Sequence, residues 1–259
     1  MYDSFSTEYD YFVNWPSRLT YEMPFLLEML GKIPADKKTL SVLDAACGSG
    51  MHALALADQG YSVSGVDYSE GMIMQAHKNT TNRQSSVEFH VAGFKELANI
   101  LHTSPRYPFN ALLCLGNSLP HVLSLIELEQ TIQDFSVCLK SGGLLLIQNR
   151  NFDALMQQQE RWMTPQSYRE DNQEWLFIRF YDFLPNGLIN FHVLRLKRDG
   201  ENWQQLISST LLFPILQADL LQILAKHGFE SIECFGSMQT GDTFNPDSSG
   251  NLIVSAWKK

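Results

Sequence analysis

Apolar residues run along this chain in two rhythms. Between positions 39 and 148, short apolar runs at 39–43, 62–66, 87–91, 111–115 and 144–148 predict strands. Between and before them, apolar residues at helical spacing predict helices near 22–30, 52–59, 71–79, 94–101 and 126–139. Strand and helix in alternation predict a parallel sheet covered by helices on both faces. Past Asn151 the rhythm lengthens, with aromatic and β-branched runs at 174–184, 188–197 and 203–213 joined by Pro185-Asn186-Gly187 and Asp199-Gly200. These predict antiparallel strands of a meander or cap. A helix at 217–227, stopped by Gly228, then leads to strands at 231–235 and 252–257 around a polar loop at 241–250. The chain shows no internal repeat and no low-complexity segment.

Composition narrows the partners. The chain has 259 residues, 18% of them charged, and a net charge of −9. No basic cluster offsets that charge, so duplex nucleic acid and anionic membranes are poor partners. No apolar run approaches the roughly 20 residues that span a bilayer. The start, Met1 to Asp10, is aromatic and acidic rather than basic and then apolar, so it does not read as a signal peptide, and the expected location is the cytoplasm. Cys47, Cys114, Cys138 and Cys234 are widely separated in apolar surroundings, and are expected reduced and mostly buried. Neither they nor the histidines show metal-ligand spacing, so no metal is expected.

The richest segment is Val42-Leu43-Asp44-Ala45-Ala46-Cys47-Gly48-Ser49-Gly50, a strand end running into a glycine turn and then a helix. Glycines allow the tight turn and the close approach of a ligand to the main chain. Gly48 to Ala53 satisfies the dinucleotide pattern GxGxxA, and Asp67 ends the next strand, where an acid would grip a ribose diol. An NAD-type oxidoreductase is therefore one reading. Asp44 argues against it, because a carboxylate leading into the loop would repel a pyrophosphate and attract a cationic amino-acid group.

These residues resemble the first motif of the class I S-adenosylmethionine-dependent methyltransferases, and the resemblance covers 39–148. It implies an α/β, doubly wound, seven-stranded and mostly parallel sheet of order 3-2-1-4-5-7-6 with the last strand antiparallel. The antiparallel β cap is then inserted after strand 5. S-adenosyl-L-methionine is the implied cofactor, lying across the carboxyl ends of strands 1 and 2. By position, Asp44, Gly48 and Gly50 would border its methionine portion, with Ala46 also in the cofactor set, Asp67 would take the ribose hydroxyls, and Tyr68 and Met72 would flank the adenine. The family often reads the adenine with an acid or amide after strand 3. Here Ala92-Gly93-Phe94 leaves the Gly93 and Phe94 backbone and the Phe94 ring for that task. Leu115 and His121, after strand 4, complete the expected cofactor set.

Cys114-Leu115-Gly116-Asn117-Ser118-Leu119-Pro120-His121 and Gln148-Asn149-Arg150-Asn151-Phe152-Asp153 together resemble the glycine N-methyltransferase group, including the bacterial glycine/sarcosine enzymes. In that group the Asn and the Arg hold the substrate carboxylate, which implies Asn117 and Arg150 here. A guanidinium clamps a carboxylate bidentately and a neutral amide orients it. Tyr11-Phe12-Val13-Asn14-Trp15-Pro16-Ser17-Arg18 resembles the group's lid segment, so Tyr11 is expected at the methyl-transfer site and Arg18 at the cofactor carboxylate. The implied activity is methylation of a small carboxylate-bearing molecule, glycine or a similar amino acid. Another small acid or natural product, or a catalytically silent cofactor-binding module, stays open as an alternative, as does a homo-oligomer.

Plainer structural roles also stay open. Arg150 could pair with Asp153 or Glu170, Asn117 could cap a turn, Tyr11 and Trp15 could pack a helix, and His121 could be a satisfied structural histidine. The meander aromatics Trp175, Phe177, Phe180, Tyr181, Phe183 and Phe191 are first of all sheet core, with a binding role for some of them open. The expected organisation is one methyltransferase domain over 1–259. Within it lie a helical lid at 1–38, the cofactor-binding half at 39–150, the β cap at 171–213, and a return helix with the last two strands at 214–259.

Overall fold

The computed structural model describes residues 6–81, 86–171 and 173–259; the first five residues of the aromatic, acidic start lie outside that range. Two helices, α1 (Ser6–Phe12) and α2 (Trp15–Gly31), lead into β1 (Ser41–Ala45), α3 (Met51–Asp58), β2 (Ser62–Asp67), α4 (Glu70–Thr81) and β3 (Glu88–Val91). Then follow α5 (Leu97–Leu101), β4 (Phe109–Cys114), a 3-10 turn at Leu119–His121, α6 (Leu125–Cys138), β5 (Leu139–Arg150) and α7 (Phe152–Gln158). A second group of strands, β6 (Gln166–Glu170), β7 (Gln173–Phe183), β8 (Ile189–Asp199) and β9 (Asn202–Leu212), precedes α8 (Gln217–Lys226), β10 (Phe229–Phe235) and β11 (Asn251–Lys258).

The seven-stranded sheet has the order β10-β11-β5-β4-β1-β2-β3. β1 to β5 are parallel, and β11 runs antiparallel to both β5 and β10. This is the expected order 3-2-1-4-5-7-6. Every residue of β1 is buried, as a central strand covered on both faces requires. One apolar cluster, with Leu43, Leu112, Phe135 and Ile147, fills one side of the sheet, and a second, with Val42, Leu54, Leu113 and Leu146, fills the other. The strand order reverses between β1 and β4, so the loops at their carboxyl ends splay apart into a crevice, the usual place for a ligand in such a sheet.

The cap is a separate antiparallel sheet of four strands, β6-β7-β8-β9. It begins at Gln166, ahead of the boundary at 171 read from the pattern, because β6 joins it. The segment Gln166-Ser167-Tyr168-Arg169-Glu170 has no apolar alternation; it is a strand through main-chain pairing with β7. The buried side chains Trp175 and Phe177 of β7 pack against Tyr9, Tyr11 and Phe12 of α1, which fastens the N-terminal segment to the cap.

Candidate active site

Two cavities meet at the crevice, and Tyr9 lines both. The first, of about 510 Å³, runs over the carboxyl ends of β1, β2 and β3. Ala46, Gly48, Asp67, Tyr68, Met72, Gly93, Phe94 and His121 line it, and Ser209 to Leu211 of β9 close it from the cap. Asp67 accepts hydrogen bonds from the Gly48 N–H (2.8 Å) and the Ser69 N–H (2.9 Å). These bonds fix the carboxylate at the cavity wall, where an acid can accept from two neighbouring hydroxyls. Gly48 has φ +55°, and among the described residues only Tyr9 Cε1, at 3.8 Å, lies near where its Cβ would stand, so a ligand can reach the loop backbone. Burial pushes the His121 imidazole down to about 4, so it is neutral at pH 7.

Asp44 lies behind this wall. It is buried at 2% exposure, accepts from the Ala53 N–H, and has one carboxylate oxygen with no hydrogen-bond partner among the described residues. Burial pushes its pKa up to about 6. A buried carboxylate with an unpartnered oxygen favours a cation nearby. Together with the Asp67 diol acceptor and the Tyr68–Met72 slot, these residues fit S-adenosylmethionine, whose sulfonium and ammonium are both cationic.

The second cavity, of about 550 Å³, lies between the ends of β4 and β5 and the cap. Asn117 has φ +65°, a backbone region that Asn tolerates better than most residues. Its main-chain N–H donates to Gln148 O (3.0 Å), and its Oδ1 accepts the Arg150 N–H (2.9 Å), so it fixes the strand end from which Arg150 projects. Arg150 lines the cavity and hydrogen-bonds the Tyr181 hydroxyl. No ion pair among the described residues uses it, so the alternative pairings with Asp153 and Glu170 are not made; Asp153 instead accepts from the Gln217 N–H.

Behind the shared wall, the Glu22 carboxylate accepts from Arg18 Nε (3.1 Å) and Gln148 Nε2 (3.1 Å) and contacts His52 Nε2 at 2.6 Å. Gln148 Oε1 in turn accepts from the Gly116 N–H (2.9 Å). Burial alone would raise the Glu22 pKa, but the bonds from His52, Arg18 and Gln148 outweigh it and hold Glu22 down to about 2. Arg18, expected at the cofactor, lines the second cavity rather than the first, with its guanidinium oriented by that carboxylate.

Several expected residues stand elsewhere. Tyr11 lines neither cavity; its ring stacks on Trp175 (4.7 Å between centroids) and lies 5.1 Å from Tyr168. α1 explains why: residues two apart on a helix point about 200° from each other, so Tyr9 faces the site and Tyr11 faces the cap. Gly50 is absent from both walls. It opens α3 with φ +79°, and a Cβ there would come within 2.7 Å of the Phe89 ring, so its service is packing. The Leu115 side chain lies in the core at 4% exposure. Asp44 acts from beneath the wall rather than at it.

Reading the sequence also missed Arg179. It alternates with Trp175, Phe177 and Tyr181 on the inner face of β7, and that placement of a guanidinium among buried aromatics was the available signal. Its guanidinium carbon lies 5.2 Å from the centre of the Phe12 ring. Burial, with the Arg150 charge adding to it, lowers its pKa. Tyr181 and Phe191 also line this cavity, whereas Trp175 and Phe177 are core. All four cysteines are free, and no described group of His, Cys, Asp and Glu residues could hold a metal ion.

Comparison with known proteins agrees with this geometry. Residues 42–143 match a family described as a methyltransferase domain. The glycine/sarcosine N-methyltransferase of Aphanothece halophytica is 27% identical over 256 residues, covering 99% of this chain and 89% of that protein. An S-adenosylmethionine-dependent methyltransferase from Clostridium acetobutylicum superposes with a TM-score of 0.77 at 16% identity, covering 99% of this chain and 98% of that one. An amino pentose methyltransferase from Micromonospora echinaspora, solved with S-adenosylmethionine bound, gives 0.71 at 16% identity over 95% of this chain and 92% of that one. The chain is an S-adenosylmethionine-dependent methyltransferase. Within that class it resembles the glycine N-methyltransferase group. No helix among the described residues is long and apolar enough to cross a membrane.

Proposed function

We propose that the protein N-methylates a small amino acid, glycine or one similar to it, with the acceptor carboxylate on Arg150 and Asn117. The carrying observation is that Arg150 meets no carboxylate among the described residues while lining a cavity that shares Tyr9 with the cofactor cavity. The glycine/sarcosine enzymes that match nearly the whole chain support this choice.

When bound, S-adenosylmethionine supplies an electrophilic methyl carbon: the amine lone pair forms the C–N bond as the S–C bond breaks, and the sulfur leaves as a neutral thioether. The protein's task is positioning, which can supply roughly 7–11 kcal/mol. Asp67 holds the ribose, and Tyr68, Met72 and Phe94 enclose the adenine; Arg18, oriented by Glu22, lines the acceptor cavity and reaches the cofactor carboxylate from there, where the two cavities meet at Tyr9. Arg150 and the Asn117 amide N–H hold the acceptor carboxylate. The Tyr9 hydroxyl, which burial keeps protonated by raising its pKa, orients the neutral amine with nearby backbone oxygens. His121 takes no part in proton transfer, because it lines the other cavity.

Arg150→Ala is expected to raise KM for the acceptor by about a hundredfold, the size of a lost charge-assisted bidentate pair, and to leave S-adenosylhomocysteine affinity within about twofold by calorimetry. Asp67→Ala is expected to do the reverse. Equal losses of both affinities in Arg150→Ala would overturn the assignment.

A further inference from the structure

The acceptor cavity holds more positive charge than one carboxylate needs. Arg150 reaches it from β5 and Arg179 from β7, and Tyr181 faces both. Two carboxylates line the same cavity: Glu22 is engaged with Arg18, His52 and Gln148, and Glu160 is exposed and makes no ion pair among the described residues. Arg179 is half-buried, and its Nε is buried without a hydrogen-bond partner among the described residues. An unpaired buried donor destabilises the protein, and more so when it is charged. Two guanidiniums in one cleft also repel, so the free protein carries two costs that a second anion would remove.

We propose that the preferred acceptor is an amino acid bearing a second carboxylate, of the size of aspartate or glutamate. Its α-carboxylate lies on Arg150 and Asn117, and its side-chain carboxylate lies on Arg179. The assignment rests on the methyltransferase reading of the site and keeps its bond changes: the amine nitrogen gains the methyl group, the S–C bond breaks, and the amine's proton passes to solvent. Arg179 is then a specificity-determining residue contributed by the cap.

The test compares glycine, alanine, aspartate and glutamate by S-adenosylhomocysteine release, and by calorimetric titration of each into protein saturated with S-adenosylhomocysteine. Wild type is expected to favour aspartate or glutamate over glycine in kcat/KM by at least about tenfold, as one added charge-assisted pair allows. Arg179→Met should abolish that preference and leave glycine turnover and S-adenosylhomocysteine affinity within about threefold, while Arg179→Lys should keep part of it. A wild-type preference for glycine, or an equal loss for all four acceptors in Arg179→Met, overturns the proposal. Binding of S-adenosylhomocysteine with glycine turnover but no dicarboxylate binding defeats the second anion subsite alone. Failure to bind S-adenosylhomocysteine, or to methylate any of the four, defeats the underlying reading as well.

Discussion

At the scale of single residues, chemistry was legible where a motif fixes the side chain to a strand end. Asp67, Tyr68, Met72, Gly93, Phe94 and His121, which the family resemblance placed at the cofactor, all line one cavity. Tyr11 was expected at the methyl-transfer site and Tyr9 was missed, because the choice depends on the rotation of a short helix whose direction is set by packing on the cap. Asp44 carries a consequence that its sequence position only hinted at. Its pKa of about 6 stands above the ordinary 3.8, so ionising it in the free protein costs stability as pH rises from 3.8 through 6. A cation bound above it favours the carboxylate and draws the pKa back down. Cofactor binding below pH 6 should therefore release a proton, and S-adenosylmethionine affinity should fall toward tenfold per pH unit between 6 and 5. Calorimetry in buffers of different ionisation heat reads the proton directly. Asp44→Asn should remove the release, and an affinity independent of pH from 7 to 5 in wild type would overturn this account.

At the scale of elements, the α/β alternation carried the seven-stranded sheet, because each buried strand is a dense apolar run and each helix keeps its period. What escaped were elements held by something other than periodicity. α1 is one, fastened through Asp10, which accepts from Trp15 Nε1 (2.7 Å) and Ser49 Oγ (2.6 Å) and so joins the glycine loop to the N-terminal segment. α7 is another, begun by Asn151 capping the Ala154 N–H (3.2 Å) within the stretch from which Arg150 projects. β6 is held by main-chain pairing with β7 and by the packing of Tyr168 on Trp175. Glu22 is the strongest knot between elements, joining α2 to α3 through His52 and to β5 through Gln148. Its folded pKa of about 2 lies below the ordinary 4.5. The stability it contributes is fully present above pH 4.5 and is lost as pH falls from 4.5 toward 2. Glu22→Gln should lower unfolding free energy at pH 7 by on the order of 3 kcal/mol and flatten the decline below pH 4.5. Urea unfolding at pH 7 and pH 3.5 checks both, and parallel acid dependence in the two proteins would show that the knot lies elsewhere.

At the scale of the molecule, each cavity is built from both sheets. Ser209 to Leu211 of β9 close the cofactor cavity, Arg179 and Tyr181 of β7 close the acceptor cavity, and Tyr9 stands between them. The net charge of −9 makes the guanidiniums of Arg18, Arg150 and Arg179 a local reversal of sign at the place where anionic groups must enter. Because cap and main sheet together line the cofactor cavity, a ligand that fills it should stabilise their contact as well as the glycine loop. At a hundredfold excess over its dissociation constant, S-adenosylhomocysteine contributes about 2.7 kcal/mol, which for a chain of this size raises Tm by roughly 5–10 °C. Hydrogen exchange should show where that energy goes. Protection is expected at residues 44–50 and 67–72 and also along β7 to β9, beyond the three residues that line the cofactor cavity. Protection confined to the loops of the seven-stranded sheet would mean that the cap closes independently of the cofactor, and Tyr9 would then be a partition between two separate sites rather than the wall through which they are joined.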